Sequence, residues 1–312
     1  MAENVHIKKE AQGEFGCAPN DRTMAQILRY GIINVDKHKG PTSHQISDSV
    51  KKILNLSKAG HSGTLDPHVT GVQPVAIDRA TRIAQYLLTA PKEYVCLMHL
   101  HKDVSEENIR TSLQSFLGKI RQMPPVRSAV KRVERTREIY EVEIIEIKKQ
   151  EVLFRVKCQA GTYIRKLCHD WGRKLGVGAH MAELRRTQAG PFREEDHLVS
   201  LNDIEDAYHY YKEEGNEKFL KYAIQPVENA LKYIKKCWIL DSTLQSVSHG
   251  RDVAIPGISK VEEFNAKEIV AVLTLKGELV AIGEALLSFQ EIMSREKGLA
   301  IKVDKVFLES IG

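Results

Sequence analysis

With 312 residues, 42% of them hydrophobic, and a net charge of +5, the chain has enough apolar material for a substantial core and reads as two domains. It has no run of about 18 apolar residues, and the opening M-A-E-N-V-H-I-K-K-E lacks an apolar signal core, so membrane insertion and secretion are not indicated and the expected location is the cytoplasm. Five scattered cysteines (Cys17, Cys96, Cys158, Cys168, Cys237) without a C-x-x-C pair argue against a disulfide framework and against a zinc site.

Residues 1–30 show no clear periodicity and are expected to be partly disordered. A strand-like G-I-I-N-V-D from Gly31 leads into Thr42-Ser43-His44-Gln45, a T-x-x-Q capping box, followed by Ile46, Val50, Ile53 and Leu54 at helical spacing. From Tyr94 to Leu100 the residues are nearly all apolar, as in a strand buried on both faces, which puts Tyr94 at a strand's beginning. Ile109, Leu113, Phe116 and Leu117 mark a helix; Tyr140, Val142 and Ile144 alternate with glutamates; Lys148-Lys149-Gln150 then connects to a strand from Val152 to Cys158. Ile164, Leu167, Cys168, Trp171 and Leu175 repeat as one helical stripe, with Gly176 as its stop and Arg165 off the stripe. The chain looks helical and charged from Ser200 to about Tyr233, interrupted at Pro226, and turn-punctuated strands suited to a small barrel follow a boundary near residue 235.

Charge is uneven. Arg121, Arg127, Lys131, Arg132, Arg135 and Arg137 fall within 17 residues against Glu134 alone, a cluster of the kind that neutralises phosphates or simply meets solvent.

The most informative stretch is Gly60–Pro74, G-H-S-G-T-L-D-P-H-V-T-G-V-Q-P. Its glycines permit tight turns, and Pro67 restricts Asp66 to extended conformations, so the loop can hold one carboxylate still. Taken alone, Asp66-Pro67 is also what an ordinary surface turn looks like. The block resembles the G-T-L-D-P motif of the TruB-type pseudouridine synthases, whose aspartate is catalytic. Other stretches resemble further family motifs in the family's order: V-D-K-H-K-G-P-T-S (35–43), K-E-Y (92–94), P-P-V-R-S-A-V-K-R (124–132), G-T-Y-I-R-K-L (161–167) and G-V-G-A-H-M-A-E-L-R-R (176–186). G-H-S-G-T-L-D-P, S-A-V-K-R and A-H-M-A-E-L-R-R are similar to the dyskerin branch, and the short chain to its archaeal members. The departures are His38 for the usual Pro, Gln73 for Leu, and Arg251 for Ala.

The resemblance implies an α+β fold: a catalytic domain with a mixed or antiparallel sheet and flanking helices over 31–234, a β-rich RNA-binding PUA domain over 235–312, and an N-terminal extension, 1–30, packing on the PUA domain. It implies catalysis by Asp66 with Tyr94 and Arg165, and a base pocket of His61, Tyr163 and Leu184. The chemistry agrees. A carboxylate can attack sugar or base, or remove a sugar proton, and in an apolar pocket it needs a cation to stay ionised, a task that suits a bidentate Arg165. Tyr94 offers a stacking face and a hydroxyl for proton transfer. His61 is expected to fill the gap left by a flipped uridine. By the bland reading Arg165 is an exposed helical arginine, and His61, Tyr94, Tyr163 and Leu184 are packing.

RNA contacts are expected from Lys37 and Lys39, which flank a Gly-Pro turn where they hold phosphate or brace the loop, and from Arg127, Lys131, Arg132, Arg185, Lys297 and Gly298. No metal or cofactor is expected. The implied assembly is an H/ACA ribonucleoprotein acting on ribosomal RNA, with a guide RNA, a small Nop-type zinc-ribbon protein, a Gar-type protein and a kink-turn-binding ribosomal-type protein. The alternatives are guide-independent action on the tRNA T-loop and a non-catalytic RNA scaffold.

Overall fold

The Thr42 hydroxyl accepts from the Gln45 backbone N–H, the Gln45 side chain accepts from the Thr42 N–H, and the helix Ser43–Ile53 follows, as the capping-box spacing requires. The same box stands at Thr23–Gln26 and starts the helix Met24–Tyr30, so part of the segment expected to lack order is regular. The structure, a computed structural model, describes residues 4–124 and 133–309. The chain divides into two units: Ile33–Val75 with Ala84–Ala223, and the residues up to Ile32 with Ala76–Ile83 and those from Ile224 onward.

The first unit is built on a mixed sheet in the order Leu198–Val199, Gly31–Lys37, Thr70–Ile77, Ala179–Ala189, Lys92–Leu100, Glu151–Cys158, Arg135–Lys148 and Gly118–Gln122. Thr70–Ile77 runs parallel to Ala179–Ala189, and the strands from there to the Gly118–Gln122 edge are antiparallel. The helix Ile164–Lys174 buries the expected stripe of Ile164, Leu167, Cys168 and Trp171 against Cys96, Met98, Phe154 and Val156. The Trp171 ring meets Phe154 edge-on at 5.4 Å, and its indole N–H donates to Ser112 Oγ at 2.7 Å.

Three local expectations are corrected. Lys92–Leu100 is not buried on both faces: Cys96, Met98 and Leu100 enter the core while Val95, Leu97 and His99 are half-buried. The helix through Ile109 ends at Gln114, because Gly118, at φ +85°, turns the chain into a strand and leaves Phe116 and Leu117 beyond the last turn. The helical stretch from Ser200 is interrupted at Pro226 as expected, by the extended Ile224–Pro226, but it also breaks earlier, at Gly215 (φ +69°) between the helices Leu201–Glu214 and Lys218–Ala223.

In the second unit a seven-stranded sheet runs Val5–Ile7, Ile258–Glu262, Lys235–Ile239, Ile269–Leu273, Leu279–Ala285, Leu299–Val306 and Val253–Ala254. Its core includes Leu244, Val247, Val270, Val272, Val280 and Ile301, and Val5–Ile7 extends it antiparallel to Ile258–Glu262.

Candidate active site

Asp66 lies in the loop between the strands Ala59–His61 and Thr70–Ile77, anchored by buried Leu65 on one side and buried Val69 on the other. Three polar devices fix its backbone. The Ser43 hydroxyl accepts from Leu65 N–H at 2.8 Å and donates to the Leu65 carbonyl at 3.3 Å. Gly40 N–H donates to the Pro67 carbonyl at 2.9 Å, and Val69 N–H donates to the Asp66 carbonyl at 3.0 Å. The Lys37 ammonium donates to the carbonyls of His38, Pro67 and Val69 at 3.0, 3.1 and 2.8 Å.

Of the two tasks expected of Lys37, phosphate contact or loop brace, its hydrogen bonds fit the brace. Its residue is 0% exposed, all three ammonium protons are spent on backbone, and burial followed by the nearby Arg186 charge holds its pKa below the ordinary lysine value. Gln73 is explained in the same way: fully buried, it donates to the Ser43 carbonyl at 2.9 Å, a bond that Leu cannot make. Gly71 sits at φ +104° where its strand pairs with Ala179–Ala189, and a Cβ there would lie 2.2 Å from the Arg186 carbonyl oxygen. Glycine is what lets the two backbones approach.

Arg165, in the first turn of Ile164–Lys174, donates from Nη2 to Asp66 Oδ2. The side chains are 51% and 54% exposed, so the pair sits at an open face rather than in the apolar pocket expected around the carboxylate. Tyr94 opens its strand at a bulge that sets it opposite Arg186. Burial raises the Tyr94 hydroxyl pKa, and the Arg186 guanidinium beside it offsets part of that rise. Arg186 is 1% exposed and donates Nε–H to the Val72 carbonyl at 2.7 Å. Two further titratable groups share its field. His61 is lowered by burial and then by Arg186. Lys92 is lowered to about 8 by the same two causes in the same order, with its ammonium on the carbonyls of Leu87, Leu88 and Ala90 at 2.9, 3.1 and 2.7 Å. Arg186, Lys92 and Lys37 are thus buried basic groups whose donors meet backbone carbonyls.

Of the other residues expected at the base pocket, Leu184 packs with Tyr94 against the unit's core, and Tyr163 precedes the helix that carries Arg165. Arg185, expected at RNA, forks onto Asp36 at 3.0 and 3.1 Å and donates to Glu194 at 2.5 Å, so two carboxylates share its charge. Lys39 is exposed beside the loop's entry turn. Lys297 is exposed too, and Gly298 follows it at φ +133° in the second unit. Arg127, Lys131 and Arg132 lie outside the described residues. Sequence reasoning passed over Arg186, Lys92, Ser43 and Gln122. For Arg186 a signal existed: in a strand, adjacent arginines face opposite sides, so only one of Arg185 and Arg186 can be outside.

Among the described residues, no group of three or more His, Cys, Asp or Glu could hold a metal, and no helix is long and apolar enough to cross a membrane.

Residues 51–164 match the model described as TruB family pseudouridylate synthase, N-terminal domain, and residues 165–232 the tRNA pseudouridylate synthase B C-terminal domain. Residues 235–307 match the PUA domain and residues 2–47 the DKCLD domain. The chain is 53% identical over 302 residues to a probable tRNA pseudouridine synthase B of Thermococcus gammatolerans, covering 96% of this chain and 90% of that protein. It is 50% identical over 310 residues to one of Methanocaldococcus jannaschii, covering 98% and 92%. The structure superposes on an archaeal box H/ACA Nop10-Cbf5 complex with TM-score 0.92 and 48% identity, over 99% of this chain and 97% of that one. On a Cbf5-Nop10-Gar1 complex the values are 0.94 and 50%, over 99% and 95%. With an Asp-Pro loop braced from within, an arginine on its carboxylate and these relatives along almost its whole length, the chain belongs to the TruB family of pseudouridine synthases, enzymes that isomerise uridine in RNA.

Proposed function

We propose that this enzyme is the catalytic subunit of an H/ACA-type ribonucleoprotein and converts guide-selected uridines of ribosomal RNA to pseudouridine, with Asp66 as the catalytic carboxylate. The single observation that carries the residue assignment is the Arg165 guanidinium on the Asp66 carboxylate, at the centre of a loop immobilised by Lys37 and Ser43. Asp66 starts the reaction by attacking the sugar or the base, or by taking a sugar proton. The N1–C1′ bond breaks, the freed uracil turns, C5 joins C1′, and the proton on C5 leaves while N1 gains one. Tyr94 stacks on the turning base and relays the departing proton. Arg165 holds and aims the Asp66 carboxylate, and His61, Tyr163 and Leu184 line the space beside the base.

The ribonucleoprotein reading draws on likeness over 99% of the chain to structures solved with Nop10, with Nop10 and Gar1, and, at TM-score 0.93 and 47% identity, with an RNA containing 2′-deoxyuridine. The partners are then a guide RNA, Nop-type and Gar-type proteins and a kink-turn-binding protein, assembled in the cytoplasm, with Lys297 and Gly298 of the PUA domain at the RNA. The domain borders we assign, 1–30, 31–234 and 235–312, draw on the PUA match over 235–307 and on the grouping of the N-terminal residues with the C-terminal unit. A second reading, action on tRNA without a guide, is favoured by the names of the relatives. The test is pseudouridine formation by the purified protein on a guide-paired target with the partner proteins present, and on tRNA alone. Product only in the first supports the ribonucleoprotein reading, and product only in the second overturns it.

A further inference from the structure

Helix Ile164–Lys174 begins without help from its own sequence: Tyr163 at its N-cap supplies no side-chain cap, whereas the N-caps Thr42, Ser105 and Ser200 of this unit each cap with a hydroxyl. The missing partner comes from another strand. Gln122 ends the edge strand Gly118–Gln122 and is 2% exposed. Its Oε1 accepts from Tyr163 N–H at 3.0 Å, and its Nε2 donates to the Tyr163 carbonyl at 3.1 Å. Both ends of one carboxamide thus close on both polar groups of one peptide residue, as a neighbouring strand would. The same Tyr163 carbonyl accepts the first helical bond, from Leu167 N–H at 3.0 Å, so the amide clamps the residue on which the helix is founded.

We propose that Gln122 is a positioning residue for Arg165: it fixes the first helical turn so that the guanidinium meets the Asp66 carboxylate. The inference rests on the reading of Arg165 as the partner of catalytic Asp66. Arg165 lies two residues beyond Tyr163, in the turn that frays when an N-cap is lost, while Leu167, Cys168 and Trp171 hold the rest of the helix in the core. Removing the clamp therefore loosens the aim of Arg165 without unfolding the helix. A displacement of about 1 Å at a catalytic group costs up to about a hundredfold in rate. Gln122 itself is buried, and its side chain meets the Tyr163 backbone.

The test compares Gln122→Met, which keeps the shape and loses both bonds, with Gln122→Glu, which keeps the acceptor for Tyr163 N–H and loses the donor. Each is made in the wild-type and in the Arg165→Lys background. Single-turnover pseudouridine formation, the Kd for target RNA and hydrogen exchange at the amides of 163–167 are measured. The expected results are a rate lowered about tenfold or more in Gln122→Met, a loss at least as large in Gln122→Glu, whose second carboxylate oxygen opposes the Tyr163 carbonyl, an RNA Kd within about twofold of wild type, and faster exchange at Tyr163. In the Arg165→Lys background, Gln122→Met is expected to add little. An unchanged rate, or an equal loss in both backgrounds, overturns the proposal. If the wild type itself forms no pseudouridine, the catalytic reading fails instead, and unchanged exchange at Tyr163 would then also refute the clamp.

Discussion

Replacing Lys37 with Met separates a loop brace from an RNA contact. The substitution keeps a buried side chain of similar length and removes three charged-donor hydrogen bonds, two of them to Pro67 and Val69 in the catalytic loop. A hydrogen bond to a charged group contributes about 1.5–3 kcal/mol, which sets a gross loss of several kcal/mol. Two effects reduce it. Pro67 O retains the bond from Gly40 N–H, and the ammonium no longer has to be desolvated, a cost visible in its lowered pKa. A net destabilisation of about 2–4 kcal/mol remains. Because Pro67 directly follows Asp66, a loop shift of about 1 Å lowers single-turnover pseudouridine formation by about a hundredfold. The assay is rate and RNA affinity together, across a salt series. The expected result is a large loss of rate with the RNA Kd and its salt slope unchanged. A wild-type rate with weaker binding and a salt slope shallower by about one would refute the brace and restore Lys37 as a phosphate contact.

Arg165→Lys, which keeps the charge but loses the planar fork, is expected to slow the reaction by about tenfold or more with RNA affinity retained; equal rates would mean that the charge alone suffices. Tyr94→Phe keeps the ring and loses the hydroxyl, so turnover is expected to collapse while thermal stability stays within a few degrees, and an active Phe variant would remove Tyr94 from proton transfer. Gly71→Ala combines a φ of +104° with a Cβ 2.2 Å from the Arg186 carbonyl oxygen, and is expected to destabilise by more than about 3 kcal/mol in urea titration. Lys92 gives a pH signature. Its pKa falls from the ordinary 10.5 to about 8 on folding, so between those values the unfolded chain holds more protons and stability rises with pH. Measured against Lys92→Met at pH 7.5 and 10.5, the wild type should gain up to about 3 kcal/mol over that interval, and a flat difference would contradict the burial of its charge.

Local signals with a single physical cause were legible in the residues: the capping box at Thr42, the stripe from Ile164 to Trp171 and the Gly/Pro-punctuated loop around Asp66 each appear where their spacing puts them. The box at Thr23 was equally present but introduces a helix of seven residues, too short for a periodic stripe to announce it. What sequence hides is which polar group goes inside. Lys37 and Arg185 look like surface cations in any local window, yet one is consumed by carbonyls brought from the Asp66 loop and the other by carboxylates of two other segments, Asp36 and Glu194. Arg186 differs from Arg185 only in the face of the strand it occupies, and that face is set by the pairing with Thr70–Ile77 and Lys92–Leu100. Gln122 and Tyr163 are 41 residues apart, and nothing local to either announces the other.

The central claim is that the Asp66 carboxylate performs the isomerisation, and the most direct measurement is pseudouridine formed on a guide-paired target by wild type and by Asp66→Asn. The two variants differ by one charge and almost nothing in shape. The expected result is full conversion by wild type and none by Asp66→Asn at equal RNA affinity; conversion by Asp66→Asn at a comparable rate would contradict the account.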